Sequence, residues 1–148
     1  PLYLGRQGKF GIGTDSQISI SPLEELKLLE YGQRLVQQKR AILCDQETPS
    51  VGRFLYQRAA SGGAQALGRK TAKLAVGYQA DWLVLDENNP ALFSKTEDQI
   101  LDAIIFATNS NPIKDVMVGG QWVVKDGQHR LEAESLVAFK RVLAELIE

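Results

Sequence analysis

Lys9-Phe10-Gly11-Ile12-Gly13-Thr14-Asp15-Ser16 is a short apolar run with small residues that ends in a polar triplet. It reads as a brief buried strand giving way to a loop. Ser21-Pro22-Leu23-Glu24 follows and opens a helix: Ser at the N-cap, Pro at the first helical position, and Glu three residues after the cap to bond back to its amide. A strand handing over to a capped helix is a βα unit. In a βα barrel, side chains at this end of the strands face the active site. Asp15 is therefore the candidate functional residue, since a carboxylate there can bind a metal or shuttle a proton. From spacing alone the plainer role of an Asx-turn or loop cap is the favoured one. Gly11 and Gly13 are only a fragment of a Gly-rich pattern, and no helix with further glycines follows, so a dinucleotide fingerprint is not supported.

Working outward, the helix that begins after Ser21 is expected to run to about Arg40. Leu23, Leu26, Leu29, Leu35 and Val36 form its apolar face, and Glu30 and Arg34 are ordered for an i,i+4 ion pair. Asp45 to Pro49 is a polar break. Ser50 caps a second helix carrying Val51, Phe54, Leu55, Ala59 and Ala60, which Gly62-Gly63 is expected to interrupt before a short turn over Ala64 to Leu67. The character changes at Gly68. Ala80 to Asp86 reads as a buried strand closed by Asn88-Asn89-Pro90, and Thr96 to Phe106 as a third helix. Val116-Met117-Val118 and Trp122-Val123-Val124 flank Gly119-Gly120, the expected connection of a tight hairpin. Asp126-Gly127 is expected to end the second strand. Leu136, Phe139, Leu143 and Leu146 line one face of a last helix, a docking face or a dimer seam, with docking on the chain's own domain the commoner outcome. The opening strand has no evident partner, a hint of missing sequence upstream.

Composition narrows the functions. The chain has 148 residues, 44% hydrophobic and 24% charged, which rules out disorder and collagen-like repeats. With 17 basic against 18 acidic side chains and a net charge of −1, no basic stripe addresses nucleic acid or an anionic membrane. The single cysteine, Cys44, forms no internal disulfide and reads as a half-buried spectator thiol in a reducing compartment. No apolar run approaches membrane-spanning length and no signal segment opens the chain, so a soluble, cytoplasmic protein is expected. The only histidine, His129, excludes a self-contained metal site with several imidazole ligands. It reads instead as a surface or helix-capping residue. Trp82 and Trp122 read as core aromatics, and Glu24 and Glu25 as a first turn favoured by the helix dipole. Pro1 in place of Met suggests a processed or excised piece.

Several stretches together carry a resemblance. Gly11 to Ser16, Glu24-Glu25-Leu26, Leu29 to Leu35, Gly62 to Gly68, Ala80 to Asp86, Val116 to Gly120 and Asp126 to His129 resemble the C-terminal third of the formimidoylglutamate deiminases. These are zinc-dependent hydrolases of the amidohydrolase superfamily. Gly77, Ala80-Asp81 and Leu85-Asp86 are shared widely across that superfamily, whereas Leu29 to Leu35 and Gly62 to Gly68 point to this branch. The resemblance implies an α/β fold: the end of a (β/α)8 barrel over residues 1–67, then over 68–148 part of the flanking small β-sandwich with a C-terminal helix. Phe10 to Gly13 would be the eighth strand. Asp15 would be the carboxylate that helps bind the divalent metal, usually zinc, and accepts a proton from its water as N-formimino-L-glutamate is hydrolysed to N-formyl-L-glutamate and ammonia in histidine degradation. The family's histidine ligands, catalytic glutamate and substrate-carboxylate contacts lie upstream and are absent here. The expected partners are thus a small-molecule substrate and the missing N-terminal part of the same enzyme, with a homodimer at full length. The chain alone is expected to hold no zinc tightly and to be inactive. A related amidohydrolase, such as a guanine or other aminohydrolase, and a non-catalytic interaction domain are the alternatives.

Overall fold

The computed structural model describes residues 2–15 and 19–147. Contacts divide the chain into two units, residues 1–78 with 87–112 and residues 79–86 with 113–148. Ser16 lies outside the described residues.

The first unit is helical. It holds α1 (Leu2–Gly5), α2 (Pro22–Gln37), α3 (Val51–Ala66), a 3-10 turn (Pro90–Leu92) and α4 (Glu97–Phe106). Helix starts follow the sequence. The Ser21 hydroxyl accepts the Glu24 amide at 3.3 Å and the Ser50 hydroxyl accepts the Arg53 amide at 3.0 Å, each occupying a donor that the first turn leaves without an intrahelical partner. Glu24 does not show the reciprocal bond; its carboxylate accepts from the Ser19 hydroxyl. α2 stops at Gln37, short of Arg40, because Gln38 enters the left-handed region at φ 52°.

The core of this unit comes from α2, α3, α4 and the connection between α2 and α3. Leu26, Leu43, Val51, Phe54, Leu55, Ala59, Ile104 and Ile105 are buried, and each large side chain removed from water contributes about 1.5–3 kcal/mol. α4 lies beyond residue 67 yet packs with α2 and α3. Gly52 permits the α3–α4 approach: a Cβ there would lie 2.6 Å from the Leu101 carbonyl and the Asp102 amide. Its own amide donates to Asp102 at 2.7 Å, and Arg53 pairs with Asp98 at 2.5 Å. The apolar face expected on α2 is only partly covered, for Leu29, Leu35 and Val36 are exposed.

Gly62-Gly63 does not interrupt the second helix; α3 runs through both to Ala66. Tertiary contact overrides propensity here, because the pair serves as the seat of the opening segment. The brief buried strand expected over this segment is not formed: it belongs to no strand among the described residues, and Gly11, Ile12 and Gly13 are exposed.

The second unit is a four-stranded antiparallel meander, β1 (Trp82–Leu85), β2 (Ile113–Val118), β3 (Gln121–Lys125) and β4 (Gln128–His129), followed by α5 (Glu132–Ile147). Leu83 pairs with Val116, and Val116 with Val124. Gly119 and Gly120 turn the central hairpin with φ of 57° and 81°, the positive pair a two-residue connection of this type requires. Asp81 fastens this turn, its carboxylate accepting the Gly119 amide at 2.8 Å and the Gln79 side chain at 3.1 Å. Asp126-Gly127 does more than end a strand. With φ of 48° and 76° it makes a second turn of the same kind into β4, which pairs Val124 with His129.

Among the described residues this sheet has no buried apolar layer. Trp82 is 46% exposed and Trp122 39% exposed, so the expected buried strand and core aromatics are not buried here. The Trp122 ring instead takes the Lys125 ammonium 4.3 Å from its centroid. α5 buries no described residue, and Leu136, Phe139, Leu143 and Leu146 are all exposed. The expected docking of this face on the chain's own domain is not made. A sheet needs a second layer over its apolar face to close a core.

Candidate functional site

The opening segment is held at three places. The Tyr3 hydroxyl donates to the Lys9 carbonyl at 2.5 Å and the Gly8 amide donates to the Tyr3 carbonyl at 2.9 Å, so α1 clamps the segment's start. Phe10 and Gly11 then cross α3 backbone to backbone. A Cβ at Gly62 would lie 2.6 Å from the Phe10 carbonyl carbon, and one at Gly11 would lie 3.3 Å from the Gly63 Cα. Beyond the crossing, Phe10 to Gly13 form one wall of a groove of about 460 Å³ completed by Tyr3, Leu4, Glu25, Leu29, Gln33 and Leu43. Asp15 stands just past this groove, exposed to solvent.

Leu43 owes its place in the groove wall to Glu30, which is 0% exposed. Its carboxylate accepts the Arg34 Nε–H at 2.7 Å, the Ile42 amide at 3.1 Å and the Leu43 amide at 2.9 Å. The Arg34 guanidinium lies beside the stacked Tyr31 and Phe106 rings, 5.2 and 5.3 Å from centroids that are 5.9 Å apart. The i,i+4 pair legible in the sequence is thus part of an anchor that fixes the connection after α2. The two loop amides it accepts were not foreseeable from spacing.

The other candidates belong to different units. His129 belongs to the second unit and caps the start of α5, its Nδ1 accepting the Leu131 amide at 3.2 Å and its own amide donating to Glu132 at 3.2 Å. Cys44 is half-buried and donates to the Ala41 carbonyl at 3.3 Å. Burial raises its thiol pKa, reinforced by the negative charges of Glu30, Asp45 and Asp102. That leaves little thiolate at neutral pH and fits a spectator. Among the described residues no group of three or more His, Cys, Asp and Glu side chains could hold a metal ion. Asp15 offers a hard carboxylate oxygen, the donor type that divalent metals such as magnesium, manganese and zinc accept.

Helices in one unit and an antiparallel sheet in the other make this a partial, mixed α/β fold. The profile of the Amidohydrolase family matches residues 4–123, and the chain belongs to that family. It is 49% identical to the formimidoylglutamate deiminase of Pseudomonas aeruginosa over 146 residues, 99% of this chain and 32% of that enzyme. It is 27% identical over 124 residues to 5-methylthioadenosine/S-adenosylhomocysteine deaminase 1 of Archaeoglobus fulgidus, covering 84% of this chain and 27% of that enzyme. Among solved structures, an amidohydrolase from Brucella melitensis superposes with a TM-score of 0.88 at 38% identity, over 99% of this chain and 32% of that one. The atrazine chlorohydrolase of Arthrobacter aurescens, complexed with zinc, gives a TM-score of 0.74 at 24% identity over 95% of this chain and 31% of its own, a likeness of fold. The chain spans about a third of the length of the curated relatives it matches.

Proposed function

We propose that this chain is the C-terminal portion of a zinc-dependent hydrolase that converts N-formimino-L-glutamate to N-formyl-L-glutamate and ammonia, a step of histidine degradation in the cytoplasm. The 49% identity to a formimidoylglutamate deiminase, sustained over 99% of the chain, carries the reading. The methylthioadenosine deaminases match at 27–29%, which favours the formimino substrate over a purine. In this reading residues 1–67 are the end of a (β/α)8 barrel, and residues 68–148 contribute to a flanking β-sandwich with the C-terminal helix. Phe10 to Gly13, which belongs to no strand among the described residues, is in this reading a barrel strand whose neighbours belong to the N-terminal part. The complete enzyme is proposed to be a homodimer, a state that light scattering measures.

The chemistry asked of Asp15 follows from its type and place. A divalent metal, when bound, supplies Lewis acidity that makes water nucleophilic near neutral pH. Asp15 contributes one oxygen donor and takes the proton that water gives up as it adds to the formimino carbon. The same carboxyl returns that proton to the departing nitrogen of the cationic formimino group and then accepts the proton of the added hydroxyl, so the C–N bond breaks with ammonia leaving and a formyl C=O in its place. General acid–base transfer of this kind contributes about 10²–10⁴-fold. Asp15→Asn in the longer protein is expected to lower ammonia release from N-formimino-L-glutamate by about that factor. The 148-residue chain alone is expected to release none with added zinc. Turnover by the isolated chain, or full activity of the Asn variant, overturns the proposal, as does faster hydrolysis of guanine or methylthioadenosine.

A further inference from the structure

We propose that Gly62 is a positioning residue for Asp15: by lacking a side chain, it sets the depth at which the segment from Phe10 to Asp15 lies against α3. The proposal rests on the reading of Asp15 given above.

α3 contains three glycines whose surroundings differ sharply. A Cβ at Gly52 would meet the backbone of α4, with Leu101 and Asp102 atoms at 2.6 Å. One at Gly62 would meet the backbone of Phe10, the carbonyl carbon at 2.6 Å, the amide nitrogen at 3.0 Å and the carbonyl oxygen closer still. One at Gly63 would meet nothing within 4 Å. Glycine inside a helix costs about 1 kcal/mol relative to alanine, so the helix alone gives no reason for Gly62. The crossing strand does. The opposing residue, Gly11, is also without a side chain and would place a Cβ 3.3 Å from the Gly63 Cα and 3.4 Å from its amide nitrogen. Helix and segment therefore meet through backbone on both sides.

The obstruction is backbone, so no rotamer change relieves it. Carbon atoms prefer about 3.5–4.0 Å, so a Cβ at position 62 requires the segment to lift by roughly 1 Å. The start of the segment is pinned by Tyr3 through the Lys9 carbonyl, which directs the displacement forward toward Gly13 and Asp15. A misplacement of about 1 Å in a catalytic group costs on the order of 100-fold in rate.

The test uses the longer protein that carries this chain, with Gly62→Ala, Gly63→Ala, Gly52→Ala and Asp15→Asn compared for kcat, KM, zinc retention against a chelator and melting temperature. Gly62→Ala is expected to lower kcat about 100-fold, with KM little changed, and to weaken zinc retention about tenfold or more. Gly52→Ala is expected to lower the melting temperature while zinc retention and kcat stay at wild type, and Gly63→Ala to change neither kcat nor zinc retention. Wild-type zinc retention and kcat in Gly62→Ala overturn the proposal, and so does a loss that tracks melting temperature as in Gly52→Ala. If Gly62→Ala does not fold, Gly11→Ala decides: weakened zinc retention at an unchanged melting temperature supports the proposal, and unchanged retention overturns it. Full activity and zinc retention in Asp15→Asn overturn the underlying assignment of Asp15, whereas their loss in Asp15→Asn alongside an unaffected Gly62→Ala overturns only the role of Gly62.

Discussion

Replacing Glu30 with Gln tests whether the connection after α2 is held by a buried carboxylate. One Glu30 oxygen accepts both Arg34 Nε–H and the Ile42 amide, and the other accepts the Leu43 amide. Gln keeps the first oxygen and turns an NH2 toward the Leu43 N–H, so two donors face each other inside the protein. A buried donor left without an acceptor costs about 1–3 kcal/mol. The retained oxygen still accepts Arg34 Nε–H, so only the carboxylate charge is lost there, and with the Arg34 side chain 30% exposed that contribution is smaller, about 0.5–1 kcal/mol. The expected destabilisation is therefore about 3 kcal/mol, or on the order of 100-fold in a local opening equilibrium. Hydrogen exchange resolved to single amides is the assay. Ile42 and Leu43 should exchange about 100-fold faster, while amides of the β2–β3 hairpin in the other unit are unaffected. Far-UV circular dichroism in urea gives the companion number, because the helices of this unit dominate the signal. Unchanged protection of the two loop amides refutes the reasoning and would mean that packing of Leu43, not the carboxylate, holds the connection.

Two further predictions follow from charge and burial. Asp115 is buried between strands and accepts the Asp126 amide at 2.8 Å and Lys125 Nζ at 3.2 Å. The backbone bond from Asp126, helped by Lys125 and Lys114, holds its carboxyl below the ordinary value of 3.8. Its stabilisation of the hairpin is then present above that ordinary value and is lost as pH falls through the lower folded one. Amide exchange in β2 and β3 should loosen in that acid window, and Asp115→Asn should remove the acid-dependent component; an unchanged acid profile in the variant sinks the assignment. Cys44, with its thiol pKa raised by burial and by neighbouring carboxylates, should alkylate with iodoacetamide more slowly than a peptide thiol. Its rate should still be climbing above the usual thiol midpoint of about 8.5; rapid modification at neutral pH, read by intact mass, contradicts this.

What was legible from residue order was local. Ser21-Pro22 and Ser50 cap helices because an N-cap hydroxyl acts within three residues of itself. Gly119-Gly120 makes a hairpin because positive φ is a property of those two positions. The pairing of Glu30 with Arg34 follows from one helical turn. Asp126-Gly127 carried the same hairpin signal as the glycine pair, and β4 follows from it.

Only the tertiary structure decided the rest, because those features depend on what arrives from a distant part of the chain. Gly62-Gly63 looks like a helix break by propensity, and stays helical because Phe10 and Gly11 need a surface without side chains. Glu30 is a surface ion-pair residue by spacing, and is buried because the Ile42 and Leu43 amides have it as their acceptor. The hydrophobic pattern of α5, Trp82 and Trp122 suggested buried faces, and among the described residues those side chains are exposed. Periodicity records which side of an element avoids water; the partner is a matter of long-range packing.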